Sequence, residues 1–125
     1  MLVALRDAGL DSLPGAGAEI LSDRVRRLVS PAKATVAEWL GVMREAHRLN
    51  LPPSATMLFG HAETVQERLE HLDMLRKLQD ARPDGHDGFI TFIPWPFMYR
   101  GTRLAEKDGI RSNVTATEYL KMIAV

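Results

Sequence analysis

The stretch Thr56-Met57-Leu58-Phe59-Gly60-His61-Ala62-Glu63-Thr64-Val65-Gln66-Glu67 decides the fold class of this chain. Ala55 to Phe59 is a short apolar run closed by Gly60, which is how a strand buried on both faces reads. Thr64 and Glu67 then form a Thr-x-x-Glu box: the hydroxyl accepts from the N3 amide and the carboxylate accepts from the cap's own amide. Behind it Val65, Leu69, Leu72, Leu75 and Leu78 recur at three- and four-residue steps, the stripe of a helix, until Arg82-Pro83-Asp84-Gly85 ends it. Strand, tight turn and helix in that order are the unit of a parallel α/β fold.

The unit repeats on both sides. Upstream, Thr35 and Glu38 form a second box, followed by the stripe Val36, Trp39, Leu40, Met43, Ala46 and Leu49, stopped by Asn50 and Pro52. A shorter helix is expected over 23–29, capped by Ser22 and closed before Pro31, and Leu10 to Leu13 reads as a weaker strand. Downstream, Phe89 to Ile93 reads as a strand, and Thr115 with Glu118 opens a helix running to Val125. About three strand-helix units with a parallel sheet are expected, forming part of a (β/α) barrel whose complete form takes about 250 residues. The chain starts before a strand and stops inside a helix, so residues 1–125 read as a fragment of a single barrel domain. Unpaired edge strands then predict either self-association or a complementary barrel fragment as partner.

Composition narrows the function classes. The chain is 46% hydrophobic and 26% charged, ordinary for a globular protein. Lys plus Arg and Asp plus Glu number 16 each and are spread along the chain, which gives no electrostatic footprint for nucleic acid or a membrane surface. No cysteine is present, so disulfides, thiolate zinc and iron–sulfur ligation by these residues are excluded. The apolar run from Phe89 to Tyr99 is broken by prolines and is too short to span a bilayer. The first residues, Met1 to Leu5, lack a basic n-region, and a cytoplasmic location is expected.

In parallel α/β folds, reactive groups collect at the carboxyl ends of strands. Three places qualify. Asp11 to Glu19 is a Gly-rich turn that either holds an anion or simply turns the chain. His61 and Glu63 could bind substrate, metal or a proton, or be ordinary loop polarity; no third metal ligand is evident. Trp95 and Phe97 would supply flat apolar walls for a ring-shaped ligand, or fill the core beneath a loop. His47, His71 and the Arg24, Arg26, Arg27 cluster read as solvated helix faces, and His86 as a surface loop residue.

Read together, Ala8-Gly9-Leu10-Asp11-Ser12-Leu13-Pro14-Gly15-Ala16-Gly17-Ala18-Glu19-Ile20-Leu21, Thr56 to Glu63 and Phe92-Ile93-Pro94-Trp95-Pro96-Phe97 resemble the radical S-adenosylmethionine (SAM) enzymes of futalosine-derived menaquinone synthesis and the related deazaflavin synthases. The second segment also resembles the GxIxGxxE motif of radical SAM barrels, with Thr56 in place of the first glycine. The wording DSLPGAGAEIL and the FIPW strand favour the cyclic dehypoxanthinyl futalosine synthases, with aminofutalosine or deazaflavin (FO) synthase relatives, or a non-catalytic relic, as alternatives. The resemblance implies a radical cyclisation of a dehypoxanthine futalosine. It also implies SAM as cofactor near Thr56, Leu58, Gly60, Glu63, Pro94 and Trp95, and a small-molecule substrate near Asp11, Ser12, Glu19 and His61. That family holds a [4Fe–4S] cluster on a Cys-x-x-x-Cys-x-x-Cys loop. Its ligands are absent from this chain, so the chain is expected to be inactive alone and no catalytic residue is assigned.

Overall fold

A computed structural model describes residues 1–112 and 114–124. The element order is α1 (Leu2–Asp7), α2 (Asp23–Val29), α3 (Val36–Arg48), β1 (Ser54–Phe59), α4 (Val65–Asp80), β2 (Thr91–Pro96), α5 (Arg103–Asp108) and α6 (Ala116–Ala124). The two strands pair in parallel, Ser54 opposite Thr91 through Phe59 opposite Pro96. β2 is an edge strand, the place where prolines such as Pro94 and Pro96, which lack an N–H, are tolerated.

All three Thr-x-x-Glu boxes form. Glu38 and Glu67 each take their cap threonine's amide at 2.8 Å, and Glu118 takes that of Thr115 at 2.9 Å. Glu67 does more than cap, since it also accepts from Ser22 Oγ (2.8 Å) and Arg24 Nη2 (2.6 Å) and so joins the starts of α2 and α4. The Arg24 guanidinium holds the Glu67 carboxyl down at about 2. Thr64→Ala is expected to cost about 1 kcal/mol, the usual value of a lost cap; an unchanged urea midpoint would mean the box contributes nothing.

The third strand differs from expectation. Leu10 to Leu13 contributes one isolated parallel bridge, Leu13 to Pro53. Beyond it the chain does run beside β1, but side chains substitute for the ladder. Ser54 Oγ accepts from Gly15 N–H at 2.9 Å, Thr56 Oγ1 donates to Gly15 O at 2.9 Å, and Leu58 N–H reaches Glu19 O at 2.9 Å. Pro14, lacking an N–H, cannot continue a regular ladder. A Cβ on Gly15 would sit 1.5 Å from the Ser54 carbonyl oxygen, so only glycine permits this approach.

The core lies on one face of the sheet. Ala55 packs with Trp39 and Met43 of α3 and Leu75 and Leu78 of α4, while Met57 and Phe59 pack with Ile20, Val25 and, from α6, Tyr119 and Met122. The buried line of α4 is His71, Leu75 and Leu78; Val65 and Leu69, at the start of the expected stripe, are exposed. The solvated reading of His47, His71 and Arg26 is therefore corrected: all three are buried. The helix expected to reach Val125 is seen to Ala124, Val125 lying outside the described residues. Among the described residues no helix is long and apolar enough to cross a membrane.

Candidate functional site

The sheet's second face carries Thr56 and Leu58 of β1 and Thr91, Ile93 and Trp95 of β2. The β2 residues are exposed and the β1 residues half-buried. Because parallel partners point the same way, Thr56 faces with Ile93 and Leu58 with Trp95. Trp95 is 55% exposed, a large aromatic at a strand end with no helix over it. Pro94 is opposite Met57 and buried, so the period of two turns its ring onto the helix-covered face, away from the other residues expected around SAM. Phe97 is buried, with its ring 5.7 Å from His61 in a T-shaped contact.

At the carboxyl end of β1 the chain turns at Gly60 (φ 88). The turn is fixed by Glu63, whose Oε1 accepts from Gly60 N–H at 2.5 Å and Arg68 Nε at 2.7 Å, and whose Oε2 accepts from His61 N–H at 2.9 Å. Burial alone would raise the Glu63 pKa, but these amides and the neighbouring imidazole hold it below the usual carboxylate range. The His61 ring lies with Nδ1 2.7 Å from Ala62 N and Nε2 2.8 Å from the Leu58 carbonyl oxygen, which fixes the ring's orientation. Both side chains are fully buried, so each is already committed to the protein's own backbone. Thr56 is committed too, its hydroxyl donating to Gly15 O. The space beside Gly60, where a Cβ would meet Val114 Cγ2 at 2.2 Å, is filled by the α5–α6 connection.

The turn before α2 ends at Glu19, a non-glycine residue in the left-handed region (φ 48), whose carboxylate pairs with Lys33. Arg26, only 3% exposed, reaches beneath the turn: Nη1 donates to Gly17 O (2.8 Å) and Ala18 O (2.6 Å), and Nε donates to Ala34 O (2.8 Å). Glu19 thus sits beside Leu58, near the carboxyl end of β1. Asp11 and Ser12 do not. They precede the Leu13–Pro53 bridge, at the amino end of β1, and are exposed with no side-chain hydrogen bond among the described residues. Grouping them with Glu19 and His61 is corrected by the chain's direction along β1.

Sequence reasoning missed α5 and the recess near it. Thr102 caps α5, accepting Ala105 N–H at 3.2 Å; the Thr cap and the closing Gly109 were the available signal. A recess of about 250 Å³ at the carboxyl end of β2 is lined by Phe97, Tyr99, Arg100, Ser112 and Val114. A groove of about 400 Å³ between α4 and β2, lined by Leu72, Phe89 and Phe92, lies at the strands' amino ends, away from these groups.

Comparison with known proteins agrees with this frame. The family described as "CofH/MqnC C-terminal region" matches residues 86–125. An aminodeoxyfutalosine synthase of Thermus thermophilus is 46% identical over 125 residues, all of this chain and 32% of that protein. A 5-amino-6-(D-ribitylamino)uracil–L-tyrosine 4-hydroxyphenyl transferase of Methanosarcina acetivorans is 44% identical over 124 residues, 97% of this chain and 32% of the transferase. One from Methanothermobacter thermautotrophicus is 37% identical over 124 residues, 99% and 33% respectively. Over its whole length the chain is similar to radical SAM enzymes of the futalosine pathway and their relatives. It spans about a third of the length of the curated relatives it matches. The relatives are a futalosine-pathway synthase and hydroxyphenyl transferases; none of these three is the cyclase that the DSLPGAGAEIL and FIPW wording favoured.

Proposed function

We propose that the helix-free face of the β1–β2 sheet is one wall of a nucleoside-binding pocket inside a radical SAM barrel, of which these residues form a part. The observation that carries the reading is the register of Leu58 opposite Trp95. Two residues assigned to SAM from sequence alone are cross-strand partners on the same uncovered face. A flat indole beside an aliphatic side chain fits a purine ring.

The fit is partial. Leu58 and Trp95 suit the adenine, whereas the polar groups once expected to join them, Thr56 and Glu63, are spent on Gly15, Gly60, His61 and Arg68. In this reading Glu63 and His61 shape the Gly60 turn and do not touch ligand, and Glu19 is the carboxylate nearest a substrate. SAM, when bound in this family, supplies the radical that starts the reaction. With no cysteine, these residues cannot hold the cluster that cleaves it. The parent activity we favour is that of an aminofutalosine synthase or deazaflavin-type relative, because the 46% and 44% identities lie with those proteins and not with a cyclase. A complementary barrel segment, or a second copy, would then cover Ile93 and Trp95.

Calorimetric titration of SAM tests this, first into the chain alone and then into its mixture with a cysteine-bearing barrel segment after anaerobic cluster reconstitution. Binding in the mixture that weakens more than about tenfold in Trp95→Ala, roughly 1.4 kcal/mol, is the expected result. Since Trp95 is mostly exposed, the same substitution should leave the urea midpoint within about 0.5 kcal/mol of the parent. Equal SAM affinity with and without the indole would remove the wall from the pocket.

A further inference from the structure

We infer that His71 is a positioning residue that latches the turn carrying Glu19 to α4, and that acid releases the latch. This stands on the chain's own geometry and holds whether or not the sheet face binds a nucleoside. The Leu21 backbone N–H donates to His71 Nδ1 at 3.0 Å in a fully buried place, and that ring nitrogen is the acceptor this amide uses. An imidazole accepts on Nδ1 only while that nitrogen is unprotonated. Protonation therefore converts an acceptor into a donor facing a donor, and the contact must open.

Only the Thr56 carbonyl among the surroundings favours a positive charge on the ring, and it is outweighed. From α2, the Arg26 guanidinium acts on His71 and is itself buried, held by carbonyl oxygens. From β1 comes the Thr56 carbonyl, and Nε2 makes no hydrogen bond of normal geometry. On α4 itself, Glu67 lies one turn earlier and is bound to Arg24, Ser22 and Thr64. From the turn, Glu19 is paired with Lys33. Burial first, opposed by the Thr56 carbonyl and aided by Arg26, pushes the His71 pKa down to about 4 from the ordinary 6.5.

The sign follows from linkage. Between pH 6.5 and about 4 the opened form binds a proton that the latched form does not, so opening grows as pH falls through that window. What opens with Leu21 is set by the hydrogen bonds. Leu58 N–H is held by Glu19 O, on the same turn, so the Glu19 carbonyl and carboxylate move with the latch.

Amide hydrogen exchange followed by NMR, corrected for intrinsic rates, measures this. From pH 7 to pH 5 the opening of Leu21 and Leu58 amides should rise roughly twentyfold. Amides in the middle of α3 should change less. His71→Asn keeps an acceptor near Nδ1 but does not titrate, and should abolish the pH response while keeping protection. His71→Leu should lose Leu21 protection at both pH values. The ring's own nitrogen shifts should report an unprotonated Nδ1 at pH 7. A parent and His71→Asn with the same pH response, or a ring protonated on Nδ1 at pH 7, would overturn the inference.

Discussion

Gly15→Ala is expected to cost more than about 4 kcal/mol, in the range reserved for gross steric conflict. Its Cβ would stand 1.5 Å from the Ser54 carbonyl oxygen and 2.5 Å from the carbonyl carbon, both backbone atoms that cannot rotate away. Relief requires the 13–19 segment to withdraw from β1. That withdrawal breaks the Gly15 to Ser54 and Thr56 to Gly15 hydrogen bonds and loosens the anchorage of Ala18, Ile20 and Leu21, all buried. Each lost hydrogen bond contributes about 1 kcal/mol and each uncovered aliphatic side chain about 2. Gly17→Ala is the control. Gly17 has φ 81 with nothing near its missing Cβ, so it should cost only the left-handed penalty, about 1 kcal/mol. Urea denaturation of the two variants side by side checks the contrast, and similar midpoints would mean that the segment does not lie against β1 as described.

Glu63→Ala should be the second most damaging change, at about 3 kcal/mol or more. Removing the carboxylate leaves the Gly60 and His61 amides without their acceptor and strands the Arg68 guanidinium, only 15% exposed, over the Phe59 ring at 5.1 Å. Breaking a buried pair by deleting one partner is far costlier than the pair's own net contribution. Glu63→Gln retains one acceptor oxygen and should recover part of the loss. Both variants belong in the same urea series, with the Gly60 amide shift as a second readout. That resonance should move strongly upfield when its 2.5 Å bond to a carboxylate is lost. A Gly60 shift indifferent to both substitutions would show that Glu63 does not set the turn.

Much of this was legible in the residues. Thr35, Thr64 and Thr115 with their glutamates located three helix starts, because a capping box is a local contact that needs no tertiary partner. The runs Ala55 to Phe59 and Phe89 to Ile93 located the two strands, although β2 begins two residues later than expected and continues through Pro94 to Pro96. Periodicity misplaced the buried line of α4. It counted Val65 and Leu69 as core and His71 as surface because a residue scale cannot see that Leu21 offers an amide where His71 has a lone pair. The same blindness hid Arg26, which is buried because three backbone carbonyls meet it from two loops.

By itself the sequence determined a parallel strand–turn–helix architecture, the positions of its turns, and motifs that resemble those of radical SAM enzymes, without a cysteine to hold a cluster. Those are properties of local spacing and residue type. Only the tertiary structure decided which candidate groups share a place. It put Leu58 with Trp95, turned Pro94 to the opposite face, moved Asp11 and Ser12 to the far end of β1, and committed Thr56, His61 and Glu63 to the backbone. The reason is physical: facing, direction along a strand and the use of a hydrogen-bonding group are fixed by long-range register and by competing partners, neither of which is written in any one segment.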